Sequence, residues 1–319
     1  MSPIPASRAL LALLISLPLW GQDVSKPANE FRALVRSSPH LGLEFSELTL
    51  QPAGPGWIID FVSSAAIGRN DVFYLLQRGP KADPVLVVDG KGKILRSWGK
   101  GMYTIPHSIR IDPAGNIWTV DSGSSMVYKF TPEGKRLMEI NVGEMPKRSS
   151  GGFAGATDIA FGPGGRILIS DGYGNARVLE YSAEGKRLRE WGTPGTGPGE
   201  FRQPHGIAID KEGVVYVADR NNFRVQRFTM DGKYIGEWNH VGKATSITVT
   251  SKGELWVGTQ PQDVANGMEQ WLVRVDRKTG KVTGSLESTG AHSVDLTSKG
   301  EVLTGARPNQ VVWFRAGGK

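Results

Sequence analysis

The stretch FRQPHGIAIDKEGVVYVADRNNFRVQRFTMDGKYIGEW, from Phe201 to Trp238, contains four short runs of alternating or apolar residues. Turns that contain glycine separate these runs, and Lys211-Glu212-Gly213 is one of them. Short runs divided by glycine turns are typical of antiparallel strands joined by tight connections. The stretch therefore predicts one sheet of four consecutive antiparallel strands.

The same pattern recurs along the chain with a period of about forty residues. Clear copies run from Phe153 to Trp191 and from Thr104 to Ile140, and weaker copies cover about Trp57 to Trp98, about Ala244 to Glu287, and Thr289 to Arg315. Four antiparallel strands per repeat form one blade of a β-propeller, so the repeats predict an all-β, six-bladed β-propeller. Because the last copy has only three strands, we expect the segment Leu43 to Leu50 to supply the fourth and to close the ring.

One position at the start of the first strand of each repeat is chemically distinctive. It is occupied in chain order by Ser63, His107, Thr157, His205, Thr245 and His292. A histidine on every second blade of a closed ring brings three imidazoles around one axis. Three neutral imidazoles with an open fourth position form a zinc site of the catalytic type, which predicts a metal centre. The alternative is a metal-free ring of hydrogen-bonded histidines.

Three further side chains are expected on the same face as the histidines. Arg78 follows the second strand of the first repeat, Tyr173 lies in the loop Asp171-Gly172-Tyr173-Gly174-Asn175, and Arg220 lies in Asp219-Arg220-Asn221-Asn222. A guanidinium group suits bidentate binding of a carboxylate, and a phenolate suits proton transfer. The alternatives are an arginine that links two blades and a tyrosine that only packs.

Other recurring residues indicate structure rather than chemistry. The acids that end the second strands are expected to tie the loops together: Asp121, Asp171 and Asp219. The tryptophans at strand ends are expected to pack between blades: Trp98, Trp191 and Trp238.

Composition narrows the classes of partner and ligand. The chain has 319 residues, no cysteine and a formal net charge of +7. Without cysteine, any metal must be held by His, Asp or Glu. The basic residues are spread along the turns and form no basic run, so we expect no nucleic-acid partner. A small-molecule or peptide substrate with a carboxylate fits a cationic protein better.

The N-terminal segment differs in character from the repeats. Arg8 precedes the apolar run ALLALLISLPLW, from Ala9 to Trp20, which is too short to span a membrane comfortably. We therefore predict a signal peptide at residues 1–21 and an exported protein, periplasmic or secreted, with no stable membrane anchor. A buried N-terminal helix is the alternative. Residues 22–42 are expected to form an extended N-terminal arm, and residues 43–319 the propeller.

These residues together point to a known family. The repeats resemble NHL repeats, and the region from about Val62 to the C-terminus resembles the peptidyl-α-hydroxyglycine α-amidating lyase family. The resemblance rests on the three histidines, on an arginine in the first blade, and on the DGY-N and ADR-N loops, which occur in the same order. It implies a Zn²⁺ ion held by His107, His205 and His292, with Arg78, Tyr173 and Arg220 around it.

The resemblance also implies a reaction, the cleavage of the C–N bond of a carbinolamide such as a peptidyl-α-hydroxyglycine. The products are an amide and glyoxylate. Tyr173 is expected to accept the hydroxyl proton, while Arg220 and Arg78 hold the substrate carboxylate. Two rival functions remain, a non-catalytic NHL propeller that binds a ligand or protein, and a propeller lactonase or hydrolase. The sequence makes no prediction about oligomeric state.

A second ion, Ca²⁺, is implied by the resemblance at the propeller axis. In the family, backbone carbonyls at the positions of Ala65 and Ile109 bind it together with an aspartate that follows the third histidine. Ser293 stands at that aspartate's position and cannot supply its charge. The sequence therefore argues against calcium at this place.

Overall fold

The computed structural model describes residues 25–143, 152–260 and 270–317. The predicted signal peptide lies outside these residues. Among the helices of the described residues, none has the length and apolar character needed to cross a membrane. The described chain begins with helix α1 (Ser25–Ser37) and strand β1 (Leu43–Thr49).

Six four-stranded sheets form the body of the molecule. Blade 1 contains β2 (Val62–Ile67), β3 (Phe73–Gln77), β4 (Val85–Val88) and β5 (Ile94–Trp98). Blade 2 contains β6 (Pro106–Ile111), β7 (Ile117–Asp121), β8 (Met126–Phe130) and β9 (Arg136–Asn141). Blade 3 contains β10 (Ala156–Phe161), β11 (Ile167–Asp171), β12 (Arg177–Tyr181) and β13 (Arg187–Trp191).

The second half of the ring follows the same plan. A short parallel pair, β14 (Thr193–Pro194) and β15 (Glu200–Phe201), precedes blade 4. Blade 4 contains β16 (Pro204–Ile209), β17 (Val215–Asp219), β18 (Arg224–Phe228) and β19 (Tyr234–Trp238). Blade 5 contains β20 (Ala244–Val249), β21 (Leu255–Thr259), β22 (Gln270–Val275) and β23 (Val282–Ser288). Blade 6 contains β24 (Asp295–Leu296), β25 (Val302–Arg307), β26 (Gln310–Ala316) and, from the N-terminal side, β1. Three short 3₁₀ turns complete the elements: Arg69–Asp71, Pro163–Gly165 and Arg220–Asn222.

The ring closes as the sequence predicts. Strand β1 pairs antiparallel with β26, from Leu43 opposite Ala316 to Thr49 opposite Gln310. This pairing joins the two ends of the described chain in one sheet. It leaves no gap between blades 6 and 1, so the exposed edges of an open array of sheets are avoided. The prediction of an all-β, six-bladed β-propeller is confirmed.

Burial explains why the inner strands are apolar. All five residues are buried in each of the second strands β3, β7, β11, β17 and β21, because neighbouring blades cover both of their faces. The strand-end tryptophans pack between blades as expected. Trp98 of blade 1 lies with its ring centroid 5.8 Å from that of Phe130 in blade 2. Trp191 of blade 3 lies 6.3 Å from Phe228 in blade 4.

The expectation of an extended N-terminal arm is wrong, because Ser25–Ser37 form helix α1. Ala28, Phe31 and Val35 lie on one face of this helix and are 0–2% exposed. Phe31 and Val35 join an apolar cluster with residues of blades 4 and 5, among them Val273. These side chains have the spacing of one helix face, but they have an apolar surface to pack against only after blades 4 and 5 have formed. The helix therefore depends on tertiary packing.

Candidate metal centre

The three predicted histidines lie together at the axis of the propeller. His107 and His205 are the second residues of β6 and β16, and His292 lies three residues before β24. One nitrogen from each ring lies within 4.8 Å of the others. The ring centroids are 4.7–5.1 Å apart. The three imidazoles therefore meet at one point, close enough to share a single cation.

A β-bulge turns the side chains of His107 and His205 toward the axis. The pairing register shifts between Pro106 and Ser108 around His107, and between Pro204 and Ile207 around His205. The hydroxyl-bearing positions of blades 1, 3 and 5 lie at equivalent shifts. A bulge inserts one unpaired residue and re-aims its side chain, which is why a strand that lies between two blades can present an imidazole to the central channel.

The hydroxyl-bearing positions complete the histidine site through their backbone. Each histidine Nδ1 lies within hydrogen-bond distance of the backbone carbonyl oxygen of the hydroxyl-bearing residue in the next blade. The distances are 2.6 Å from His107 to Thr157, 2.7 Å from His205 to Thr245, and 2.7 Å from His292 to Ser63. Because a carbonyl only accepts, each Nδ1 carries the proton and each Nε2 keeps a free lone pair. This fixes the tautomer and ring orientation that a metal ligand needs.

Burial favours the neutral form of all three rings. Desolvation lowers the pKa of His107 and of His205 well below the usual value, with neighbouring positive charge and imidazoles as further causes. Burial, and next the charge of Arg78, lowers the pKa of His292 to about 3. Neutral imidazole is the form that binds metal ions. The donor set, the tautomers and the protonation state therefore all fit Zn²⁺.

Tyr173 lies directly at the imidazole nitrogens. Its hydroxyl oxygen is 3.0 Å from Nε2 of His107 and 3.1 Å from Nε2 of His205. The preceding Gly172 allows the loop to approach this closely, since a Cβ atom there would lie 1.9 Å from the carbonyl oxygen of Pro204. The Tyr173 ring also packs on Phe153, with centroids 4.5 Å apart.

Arg78 is held above the channel between aromatic rings. Its Nε donates to the carbonyl oxygen of Pro106 at 3.0 Å. Its guanidinium carbon lies 5.1 Å from the ring centroid of Phe61 and 5.5 Å from that of Phe153. The sequence did not mark either phenylalanine as a site residue, because no motif joins them to the histidines. They form apolar walls beside the imidazoles and orient a cation toward them.

Arg220 begins the 3₁₀ turn after β17, and its charge lowers the pKa of His205 and His292. Its backbone N–H donates to the carbonyl oxygen of Gln203 at 3.0 Å. Its Nε is buried and has no hydrogen-bond partner within the described residues. A buried donor without a partner is costly, so this group is suited to a ligand that accepts a hydrogen bond.

The recurring aspartates tie loops together, as expected from their positions in the sequence. Asp121 accepts from the backbone N–H groups of Thr104 and Ile105. Asp219 accepts from the N–H of Arg202 and pairs with Arg224. These carboxylates are used within the loops and do not reach the imidazoles.

Lys243 is a functional candidate that sequence reasoning missed. It lies two residues before Thr245, and its ammonium nitrogen is 5.9 Å from the ring centroid of Phe223. Burial, and next the charge of Arg220, lowers the pKa of Lys243 to about 8. In the sequence it is one of many lysines near turns, so only the fold reveals that it lies beside Arg220.

The position of Lys243 predicts a pH-dependent cost to stability. The pKa of this lysine in the folded protein, about 8, lies below the ordinary value of 10.5, so folding disfavours the charged form. The cost is fully present below pH 8 and fades as the pH rises toward 10.5. We expect Lys243→Met to raise the melting temperature at pH 7 and to lose this advantage near pH 10.5. Lys252→Met, at an exposed turn of the same blade, is the control. An advantage that is independent of pH would contradict the prediction.

The calcium site implied by the resemblance does not fit the residues present. The Oγ of Ser293 accepts from the backbone N–H of Ala65 at 3.0 Å and of Gly305 at 3.1 Å. A neutral hydroxyl whose oxygen already serves two donors is a poor ligand for Ca²⁺, which prefers carboxylates and free carbonyls. We therefore assign no calcium to the position beside Ser293.

Comparisons with known proteins agree with this architecture. A family model described as "6-bladed beta-propeller" matches residues 157–303. Virginiamycin B lyase from Staphylococcus aureus, in a catalytically inactive form with quinupristin, has a similar fold with a TM-score of 0.59. That match has 15% identity and covers 85% of this chain and 99% of the other. At this identity it shows the fold alone.

Relatives with higher sequence identity indicate a narrower family than this fold match does. The peptidyl-glycine α-amidating monooxygenase of Mus musculus is 34% identical over 184 residues, which cover 54% of this chain and 19% of that protein. The chain thus spans about a fifth of the length of this relative. A probable peptidyl-α-hydroxyglycine α-amidating lyase of Caenorhabditis elegans is 28% identical over 212 residues, covering 62% of this chain and 59% of the other.

A further relative matches over most of its length. The human NHL repeat-containing protein 3 is 33% identical over 256 residues, which cover 67% of this chain and 72% of that protein. The repeats, the closed ring and these matches agree with one another. The chain belongs to the NHL-repeat family of six-bladed β-propellers, with the peptidyl-α-hydroxyglycine α-amidating lyases among its relatives.

Proposed function

We propose that this protein is a zinc-dependent carbon–nitrogen lyase that cleaves a carbinolamide such as a peptidyl-α-hydroxyglycine into an amide and glyoxylate. The observation that carries the proposal is the convergence of three neutral imidazoles with the Tyr173 hydroxyl directly beside two of them. His107, His205 and His292 would hold the ion. Bound there, Zn²⁺ would supply a Lewis acid to the hydroxyl group of the substrate.

The cationic residues position the substrate. Arg220 offers a buried guanidinium nitrogen that lacks a partner within the described residues, and a substrate carboxylate would satisfy it. Arg78 adds a second positive charge from the opposite side of the mouth, in blade 1. The rings of Phe61 and Phe153 beside Arg78 exclude water and strengthen these contacts.

Tyr173 would move the proton. The reaction removes a proton from the substrate hydroxyl, forms the aldehyde C=O bond, breaks the C–N bond and places a proton on the departing amide nitrogen. One group that accepts the first proton and returns it to the nitrogen balances the reaction. The Tyr173 oxygen lies 3.0 Å and 3.1 Å from the Nε2 atoms of His107 and His205, and a phenol can do both.

Glyoxylate release tests the proposed reaction. Purified protein is loaded with one equivalent of Zn²⁺ and incubated with a synthetic N-acyl-α-hydroxyglycine, and glyoxylate and amide are measured in equal amounts. Simple lactones are offered to the same preparation. Lactone hydrolysis without glyoxylate would favour the propeller hydrolase. If neither reaction occurs and the protein does not retain the added zinc, a non-catalytic binding propeller is favoured.

Removal of Arg220 should affect substrates with a carboxylate selectively. We expect Arg220→Ala to lower kcat/KM by about 10- to 150-fold, the equivalent of a hydrogen bond to a charged group, about 1.5–3 kcal/mol. The rate ratio between an N-acyl-α-hydroxyglycine and its uncharged methyl ester is the measurement. The ester should be affected far less, because it lacks the anion that Arg220 binds. Arg136→Ala, an exposed arginine on β9, is the control, and equal losses for acid and ester would contradict the role.

A further inference from the structure

A buried ion pair lies beside the histidines in the central channel. Arg110 of β6 contacts Asp158 of β10 through two hydrogen bonds, Nη2 to Oδ2 at 2.6 Å and Nε to Oδ1 at 3.0 Å. The side chains are 13% and 6% exposed. Both residues line the same small polar cavity as the three histidines. A pair of charges held out of water in this way requires a specific reason, because desolvation offsets much of its attraction.

Arg110 spans the channel. It belongs to blade 2, and its Nη2 also donates to the carbonyl oxygen of Ile247 in β20 of blade 5 at 3.1 Å. In a ring of six blades, blades 2 and 5 face each other across the axis. The guanidinium group therefore binds the neighbouring blade 3 through Asp158 and also reaches across the central channel to blade 5.

Asp158 connects the backbone that holds two of the histidines. Its Oδ1 accepts from the Oγ of Ser108, the residue after His107, at 2.5 Å. Its Oδ2 accepts from the N–H of Ile207, two residues after His205, at 3.3 Å. The carboxylate thus joins blades 2, 3 and 4 next to the imidazoles.

The same pair adjoins the carbonyls that orient the rings. Asp158 directly follows Thr157, whose carbonyl oxygen accepts from Nδ1 of His107. Ile247, which Arg110 contacts, lies two residues after Thr245, whose carbonyl oxygen accepts from Nδ1 of His205. A displacement of either carbonyl would turn the imidazole that depends on it.

The charge balance of the cavity points to the same role. Its other oxygen-bearing side chains are hydroxyls, namely those of Ser64, Ser108, Thr157, Thr245 and Ser293. Asp158 is the carboxylate among its lining residues, and the Arg110 guanidinium neutralises it. Without the guanidinium group, a cavity lined by these hydroxyl and carboxylate oxygens would suit a divalent cation.

We propose that Arg110 is a positioning residue that acts as a built-in axial cation, neutralising Asp158 and fixing the backbone that aims His107 and His205 at the metal. The inference rests on the proposed metal centre but is independent of the lyase reaction. It follows that the propeller needs no second metal ion. Only the ion at the histidines is exchangeable.

Metal affinity and spectra test the positioning role. Co²⁺ is titrated into metal-free protein, and its dissociation constant and visible absorption bands are compared for wild type, Arg110→Lys and Arg110→Met. We expect Arg110→Met to weaken Co²⁺ binding by about 10- to 100-fold, the usual effect of losing a group that orients metal ligands, and to change the bands. Arg110→Lys should recover part of both. Wild-type affinity and bands in Arg110→Met would overturn the proposal.

A double variant separates positioning from stability. Arg110→Met combined with Asp158→Asn removes both charges while it keeps an acceptor for the N–H of Ile207. We expect it to recover melting temperature relative to Arg110→Met, because Asp158 no longer carries a buried charge without its guanidinium partner. The altered Co²⁺ bands should persist. Recovery of wild-type bands by the double variant would reduce Arg110 to a stability element and overturn its positioning role.

Calcium tests the cation role directly. We expect the melting temperature of the wild type to be the same in about 1 mM EGTA and in about 1 mM CaCl₂, since the guanidinium already balances Asp158. In Arg110→Met, calcium should raise the melting temperature by occupying the vacated channel, and in the double variant it should not. A calcium response of the wild type, or none in Arg110→Met, would overturn the cation role. None of these readouts depends on glyoxylate release, so failure of the lyase assay would leave them intact.

Discussion

Replacement of His205 by alanine is expected to remove zinc from the protein and to abolish glyoxylate release. Loss of one of three ligands should weaken zinc binding by more than the factor of about 10–100 that is typical for loss of a supporting residue. Metal content after dialysis, and zinc affinity by competition with a chelator, are the measurements. The same outcome is expected for His107→Ala and His292→Ala.

The three histidines are expected to bind zinc because their tautomers and charge state are already those of metal ligands. Each Nδ1 donates to a backbone carbonyl and each ring is kept neutral by burial, so none of the three converging Nε2 atoms carries a proton of its own. An ion that binds there should stabilise the folded state by mass action. Added zinc should therefore raise the melting temperature of the wild type but not that of His205→Ala.

A matched control is available in the same chain. His40 lies outside the site, on the exposed segment before β1, where its Nδ1 accepts from the N–H of Gly42 at 3.1 Å. His40→Ala should retain zinc, the zinc-dependent rise in melting temperature and activity. One zinc ion per chain in folded His205→Ala would show that the three histidines do not form the metal centre.

The second large effect is expected for Tyr173→Phe. Turnover should fall by about 10²- to 10⁴-fold, the usual contribution of a positioned acid–base group, while zinc content stays at one ion per chain. The phenyl ring keeps the contact with Phe153, whose centroid is 4.5 Å away, so that packing is preserved. Only the oxygen beside the Nε2 atoms of His107 and His205 is lost.

Tyr181→Phe is the control for this change. Tyr181 is a buried tyrosine of β12 whose hydroxyl has no hydrogen-bond partner within the described residues. Its replacement should leave turnover unchanged. If Tyr173→Phe lost zinc and turnover together, the hydroxyl would serve to hold the site and not to move a proton. Full turnover would exclude Tyr173 from the reaction.

The local pattern of the chain was sufficient to predict the blades. Alternation within runs such as Val215–Asp219, divided by glycine turns, reports the two-residue period of a strand, and this period does not depend on distant contacts. The short final repeat also predicted closure by the segment that became β1. The sequence did not predict helix α1, because its apolar face is stabilised only by packing against blades 4 and 5.

The side chains of the candidate site could be predicted from the sequence, because their residue types are distinctive. The alternation of His107, His205 and His292 with hydroxyl residues picked out the three imidazoles that the structure brings together, and two loop motifs picked out Tyr173 and Arg220 beside them. The role of the alternating residues was not predictable, because they act through their backbone carbonyls, which every residue has.

The sequence by itself determined which residues repeat, hence six blades and three histidines on one axis. Only the tertiary structure decided how those histidines are held. The bulges lie within single blades, but the carbonyl partners and the Arg110–Asp158 pair join different blades, and Arg110 also contacts Ile247 in a blade far away in the chain. Such contacts exist only after the ring has closed, since closure alone brings blade 2 opposite blade 5 and places a guanidinium group between them.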